Sequence, residues 1–158
     1  MDLKDEILSA FRSVPYPGDD RITGHSCPEC DEIAGYFRGT GQTGHTVDGL
    51  WEHEAALSLF SDEAFHYWLP SFMLAVLESP ENSGNISDRV LRKFGPPESS
   101  EFADLDDPEG RISRVRRLDP EQRRAVVSFF RECVRRDIFQ ATEIEAPVGL
   151  LLAPDADT

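Results

Sequence analysis

The chain has 158 residues, enough for one domain that buries a core without cross-links. Its 16 basic and 30 acidic residues leave a formal charge of −14, which excludes a nucleic-acid binder as a whole and favours a basic partner. No stretch approaches the roughly 18 apolar residues of a membrane span, the opening MDLKDEILSAF has acids where a signal peptide has a basic region, and three cysteines are too few for a secreted scaffold, so a cytoplasmic location is expected.

Leu3, Ile7, Leu8 and Phe11 follow a helical spacing, which predicts an amphipathic helix over residues 2–13 that ends before Pro15. PYPGDD, residues 15–20, is a turn segment, and its paired Asp19 and Asp20 are expected to cap local amides rather than hold a cation. Residues 24–39, GHSCPECDEIAGYFRG, predict a second helix, with Ser26 available as cap, Pro28 in the first turn and Gly39 at the end. Cys27, Cys30, Ala34 and Phe37 share one stripe of it. That spacing supports three readings: small apolar residues facing a core, a thiol redox pair at a helix start, or a zinc site. In the zinc reading His25, Cys27 and Cys30 are ligands and His53 or His45 is the fourth; no second CxxC or HxxxH pair stands downstream to complete it.

GTGQTGHTVDG, residues 39–49, predicts a mobile glycine-rich loop without the lysine of a phosphate cradle. A third helix is expected from Val47 or Leu50 to Phe60, with Leu50, His53 and Leu57 on its apolar stripe. The densest apolar stretch follows, SDEAFHYWLPSFMLAVLE at residues 61–78, capped by Ser61 and carrying Phe65, Trp68, Leu69, Phe72, Met73, Val76 and Leu77 at steps of three and four. Pro70 lacks an amide hydrogen and is expected to kink or split this helix near residues 66–69, beside His66 and Tyr67.

Ile86, Val90, Leu91 and Phe94 mark a further short helix, capped by Asn85 or Ser87. Residues 95–110, GPPESSEFADLDDPEG, are acidic and proline-rich, and an exposed loop is expected there. The last strong helix runs from Asp119 to Ile138, with Pro120 at its first position and Gln122 completing a capping box. Between Arg111 and Arg136 stand nine arginines against three acids, a balance of +6 that leaves −20 for the rest, and the arginines are expected to pair with the protein's own acids. These elements define a mainly α protein: a single helical domain over residues 1–153, of about five to six helices around a buried, proline-kinked centre. VGLLLA, residues 148–153, is expected as a short strand or docked arm, and residues 154–158 as a loose tail.

The segments PYPGDD, CPECDEI, AALSLFSDEAFHYWLPSFMLAVL and LDPEQRRAVVSFF together resemble an uncharacterised family of small bacterial proteins, over most of residues 5–133. The resemblance implies a helical architecture and a bacterial origin and assigns no catalytic residue. Small acidic bacterial proteins of this kind include immunity proteins that neutralise toxins, an analogy at the level of class. The leading expectation is therefore an acidic protein-binding module, of the immunity type, for a basic toxin domain, with contacts at Glu98, Glu101, Asp104, Asp106, Asp107 and Glu109. The alternative is a small zinc-binding or thiol redox module built on His25, Cys27, Cys30 and His53. No nucleophile, base and orienting residue can be assembled into a hydrolytic site.

Overall fold

Asp2, Ser61 and Asp119 each start a helix by turning a side-chain oxygen onto a backbone amide three residues ahead, at 2.8, 3.1 and 2.8 Å. Such a cap satisfies one of the free donors of the first turn and contributes about 1 kcal/mol. The computed structural model describes residues 2–82, 84–94 and 108–153. Within them the helices are α1 (Leu3–Phe11), α2 (Pro28–Phe37), α3 (Val47–Glu52), α4 (Ala56–Leu59), α5 (Asp62–Glu78), α6 (Gly84–Arg92), α7 (Pro108–Arg117), α8 (Pro120–Arg135) and α9 (Glu145–Leu152). The fold is mainly helical and forms one compact domain, with no strand among the described residues beyond a single antiparallel bridge between Thr23 and Phe60.

α5 is the hub, packing against α1, α3, α6 and α7. Its Phe65, Trp68, Leu69, Phe72, Met73 and Val76 are all buried, as the spacing requires. Burying a side chain of this size stabilises by about 1.5–3 kcal/mol, so α5 alone contributes a large share of the hydrophobic driving force. Pro70 does not split the helix: α5 is one unbroken element with the proline inside and buried. The indole N–H of Trp68 donates to the Gly41 carbonyl at 3.0 Å, and the Ser71 hydroxyl donates to the Gln42 carbonyl. His45 bridges Ser71 Oγ at 2.9 Å and Thr40 Oγ1 at 3.0 Å. The segment expected to be a mobile glycine loop is thus fastened to the core by side-chain hydrogen bonds.

Four further expectations change. The third helix is two, α3 and α4, with a turn at His53–Ala55 where the backbone N–H of His53 caps α3. α6 begins at Gly84, so Asn85 and Ser87 lie inside it rather than at its cap. Residues 108–110 belong to α7, not to a loop; with only Ile112 and Val115 apolar on that helix, periodicity gives no signal for it. The tail from Glu145 is helix α9, not a strand: Pro147 and Leu151 are buried, and α9 packs on α8. Residues 95–107 and 154–158, expected as loop and tail, lie outside the described residues.

α8 closes the core with Val126, Phe129, Phe130 and Cys133 buried and with α1 laid against it. Its capping box is present as the sequence predicts, Asp119 N donating to Gln122 Oε1 at 3.0 Å. Gln122 is itself buried and also donates from Nε2 to the Ala10 carbonyl at 3.1 Å, while its Oε1 meets His66 Nε2 at 2.9 Å. One side chain therefore joins α1, α5 and α8.

Candidate functional site

The start of α2 is held by the chain that precedes it. Gly24 N donates to Leu59 O at 3.0 Å, Ser61 N to Ile22 O at 3.0 Å and Ser61 Oγ to Arg21 O at 2.5 Å, so residues 21–24 are fastened to the junction of α4 and α5. From that support the chain turns into α2 with Cys27, not Ser26, as the cap: Cys27 Sγ accepts from Cys30 N at 3.1 Å, and Pro28 occupies the first turn, where its missing amide costs nothing. Cys27 and Cys30 are joined by a disulfide. Cys27 is half-buried, whereas Cys30 is 1% exposed on the covered side of α2.

His25 is exposed beside the pair, and one ligand atom from each of His25, Cys27 and Cys30 lies within 4.8 Å of the others, a separation a metal ion could bridge once the sulfurs are reduced. The two histidines considered as fourth ligand are engaged elsewhere. His53 Nδ1 meets the Gly49 carbonyl at 2.8 Å, and its ring stacks on Tyr36 with centroids 3.9 Å apart. His45 is held by Ser71 and Thr40, and burial lowers its pKa. Asp19 accepts from the Tyr16 hydroxyl at 2.6 Å, a local partner of the kind expected for that loop acid. Cys133 is buried in α8, and burial pushes its thiol up to about 12, which makes it a core residue without thiolate chemistry.

α3 meets the far end of α2 closely. A Cβ on Gly49 would collide with the Tyr36 hydroxyl and come within 2.9 Å of Thr46 Oγ1, so glycine at this position is what admits the tyrosine. Burial, and then the Glu52 carboxylate, push the Tyr36 phenol up. Asp48, Trp51 and Glu52 stand at steps of three and four and share one outward side of α3; all three are exposed, Trp51 by 49%. On α2, Glu29, Glu32 and Tyr36 are aligned in the same manner, with Asp31 beside them, and the three acids are exposed. The carboxylates of Glu29, Asp31, Glu32, Asp48 and Glu52 make no ion pair among the described residues. An outward tryptophan is unusual on a monomer surface, and aromatic residues are enriched at the centres of interfaces.

The acids expected to bind a partner, Glu98, Glu101, Asp104, Asp106 and Asp107, lie outside the described residues, and Glu109 falls in the first turn of α7. The α2–α3 acids and Trp51 were not singled out by the sequence. The available signal was Trp51 itself, a large aromatic standing off the stripe of Leu50, His53 and Leu57.

Taken together, the fold is a helical domain with a cysteine pair at the start of one helix and an acidic, tryptophan-bearing face beside its end. Residues 34–143 match a family of unknown function, DUF6714, and the chain belongs to that family. The matched span takes in Tyr36, Trp51 and α5 and begins after Cys30. No curated protein and no solved structure matches the chain. No helix among the described residues is long and apolar enough to cross a membrane.

Proposed function

We propose that this protein is an acidic binding module that docks a basic protein partner through the α2–α3 face, in the manner of an immunity protein covering a toxin domain. The observation that carries the reading is the exposed Trp51 set between Asp48 and Glu52. An aromatic that already stands in water loses little conformational freedom on docking and has a large apolar area to bury. Unpaired carboxylates around it steer a cationic partner over about a Debye length, ~8 Å at physiological salt, and disfavour acidic competitors. Co-purification of the intact chain from its native cells tests this. A basic partner is expected whose retention falls at least about tenfold with Trp51→Ala and weakens with added salt. Absence of a stable complex at low salt, or a complex indifferent to Trp51→Ala, overturns the reading.

A second reading concerns the cysteine pair and is favoured by the close grouping of His25, Cys27 and Cys30. In it the pair carries chemistry of its own, thiol exchange when it opens and closes or zinc binding when reduced, with a fourth ligand from outside the cluster. Metal analysis of untagged, reduced protein separates the two: zinc below about 0.2 equivalents removes the metal half.

A further inference from the structure

Cys27 and Cys30 differ in a way that a purely structural cross-link does not need. A bridge across three residues closes so short a loop that it removes little entropy from the unfolded chain, and the helix it begins is already capped and anchored to the α4–α5 junction. The accessible sulfur is Cys27, at the cap position where the amides and positive end of a ten-residue helix favour a thiolate. The covered sulfur is Cys30, held next to it by the first turn of the same helix. An exposed sulfur that can be attacked, a neighbouring covered one that can resolve, and a rigid support make an exchange pair. Its surroundings are negative: Glu29, Asp31 and Glu32 are exposed within the same two turns, against Arg21 on the approaching loop.

From this, and resting on the second reading above, we propose that Cys27 and Cys30 form a redox-active dithiol that exchanges with disulfides carried on positively charged protein segments. In one turnover the Cys27 thiolate, its proton released to water, attacks a sulfur of the partner disulfide. A Cys27–partner disulfide forms and the first partner thiol leaves. The Cys30 thiol then loses its proton and attacks Cys27 Sγ, releasing the second partner thiol and closing the Cys27–Cys30 bridge. The partner gains two electrons and two protons, and the protein pair is oxidised by the same number. A dithiol reductant reverses the sequence. The local acids favour cationic disulfides and repel anionic ones.

The test uses the full chain, reduced with dithiothreitol and freed of it, and follows closure of the pair by alkylation and mass at low salt. The probes are cystamine, hydroxyethyl disulfide and glutathione disulfide, which are cationic, neutral and anionic. Closure is expected with all three, fastest with cystamine and slowest with glutathione disulfide, by roughly tenfold between the extremes. Cys30→Ala is expected to accumulate a mixed disulfide on Cys27, and Cys27→Ala to react roughly tenfold slower or less, with circular dichroism confirming the fold of each. The wild-type rates decide the matter even where a variant does not fold. A bridge that resists millimolar dithiothreitol overturns both this proposal and the reading beneath it, and reduced cysteines as unreactive as buried Cys133 that also take up no Zn²⁺ do the same. Uptake of one Zn²⁺ that blocks reaction with cystamine overturns the exchange and leaves the metal half of that reading standing. Equal rates with the three probes overturn the cationic partner class.

Discussion

On the α7–α8 side Arg114, Arg117, Arg123 and Arg136 are turned to the protein's own groups while Arg116, Arg124 and Arg131 stand exposed, whereas on the α2–α3 side every one of the acids is left to water. Arg114 donates to the Lys93 carbonyl at 3.3 Å and lies 5.7 Å from the Phe65 ring centre. Arg117 pairs with Glu63 at 3.0 Å, Arg123 donates to the carbonyls of Val115 and Leu118, and Arg136 reaches Glu132 at 2.9 Å and the Leu77 carbonyl at 2.8 Å. These bonds tie α7 to the cores of α5 and α8 and finish helix ends that would otherwise leave carbonyls without donors. The acids of α2 and α3 have no such task among the described residues. The sign of a charged segment therefore says less about its role than the partners its side chains find. Much of the basic segment is engaged in holding the fold, and the acidic one is available to something else.

If that division holds, the largest effects on stability come from the inward side. Phe130→Ala removes a fully buried ring that lies edge-on to Phe94 at 5.8 Å, and a loss of about 3–5 kcal/mol is expected in denaturant unfolding. A loss below about 1 kcal/mol would mean that α8 is not core. Gln122→Ala comes next, since it strands His66 and the Ala10 carbonyl together, and about 1–3 kcal/mol is expected in the same measurement. Acidification has a smaller effect of fixed sign. Burial lowers the pKa of both His45 and His66, so the unfolded chain binds more protons than the folded one between the folded values and about 6.5. The contribution of the neutral histidines is complete above about pH 6.5 and is lost as pH falls through the folded values. A pH series of unfolding midpoints should show this decline, shallower in His66→Gln. At the outward side Trp51→Ala and Glu52→Gln should change stability by no more than about 0.5 kcal/mol while lowering the affinity for a basic partner. A destabilisation well beyond that would return Trp51 to the core and remove the contrast.

Much of the fold is legible in the order of residues, because helices with strong caps and a wide apolar stripe announce themselves locally. Ser61 with its run to Leu77, and Asp119-Pro120 with Gln122, are of this kind, and α5 and α8 are found where they predict. α7 and α9 are not legible in this way: α7 has only Ile112 and Val115 as apolar residues, and α9 is a short continuous apolar run without a helical stripe, which reads equally well as a strand. Pro70 misleads because tertiary packing on four sides holds α5 in one piece despite the lost backbone bond. Of the candidate sites, the spacing of Cys27 and Cys30 is visible at once, but which sulfur faces water depends on α2 lying against its neighbours. The acidic face is the least legible, because it is assembled from two helices joined by Tyr36 stacking on His53.

The three-way bond of Gln122 has a consequence for how the chain comes into being. α1 is only nine residues long, and its principal neighbour is α8, more than a hundred positions later. An isolated helix of that length is marginal in water. During synthesis α1 therefore precedes its main partner by more than a hundred residues, and until residues near 122 arrive it has only α5 to cover Ile7 and Phe11. The contact between α1 and α8 is a long-range one that local helix formation alone does not supply.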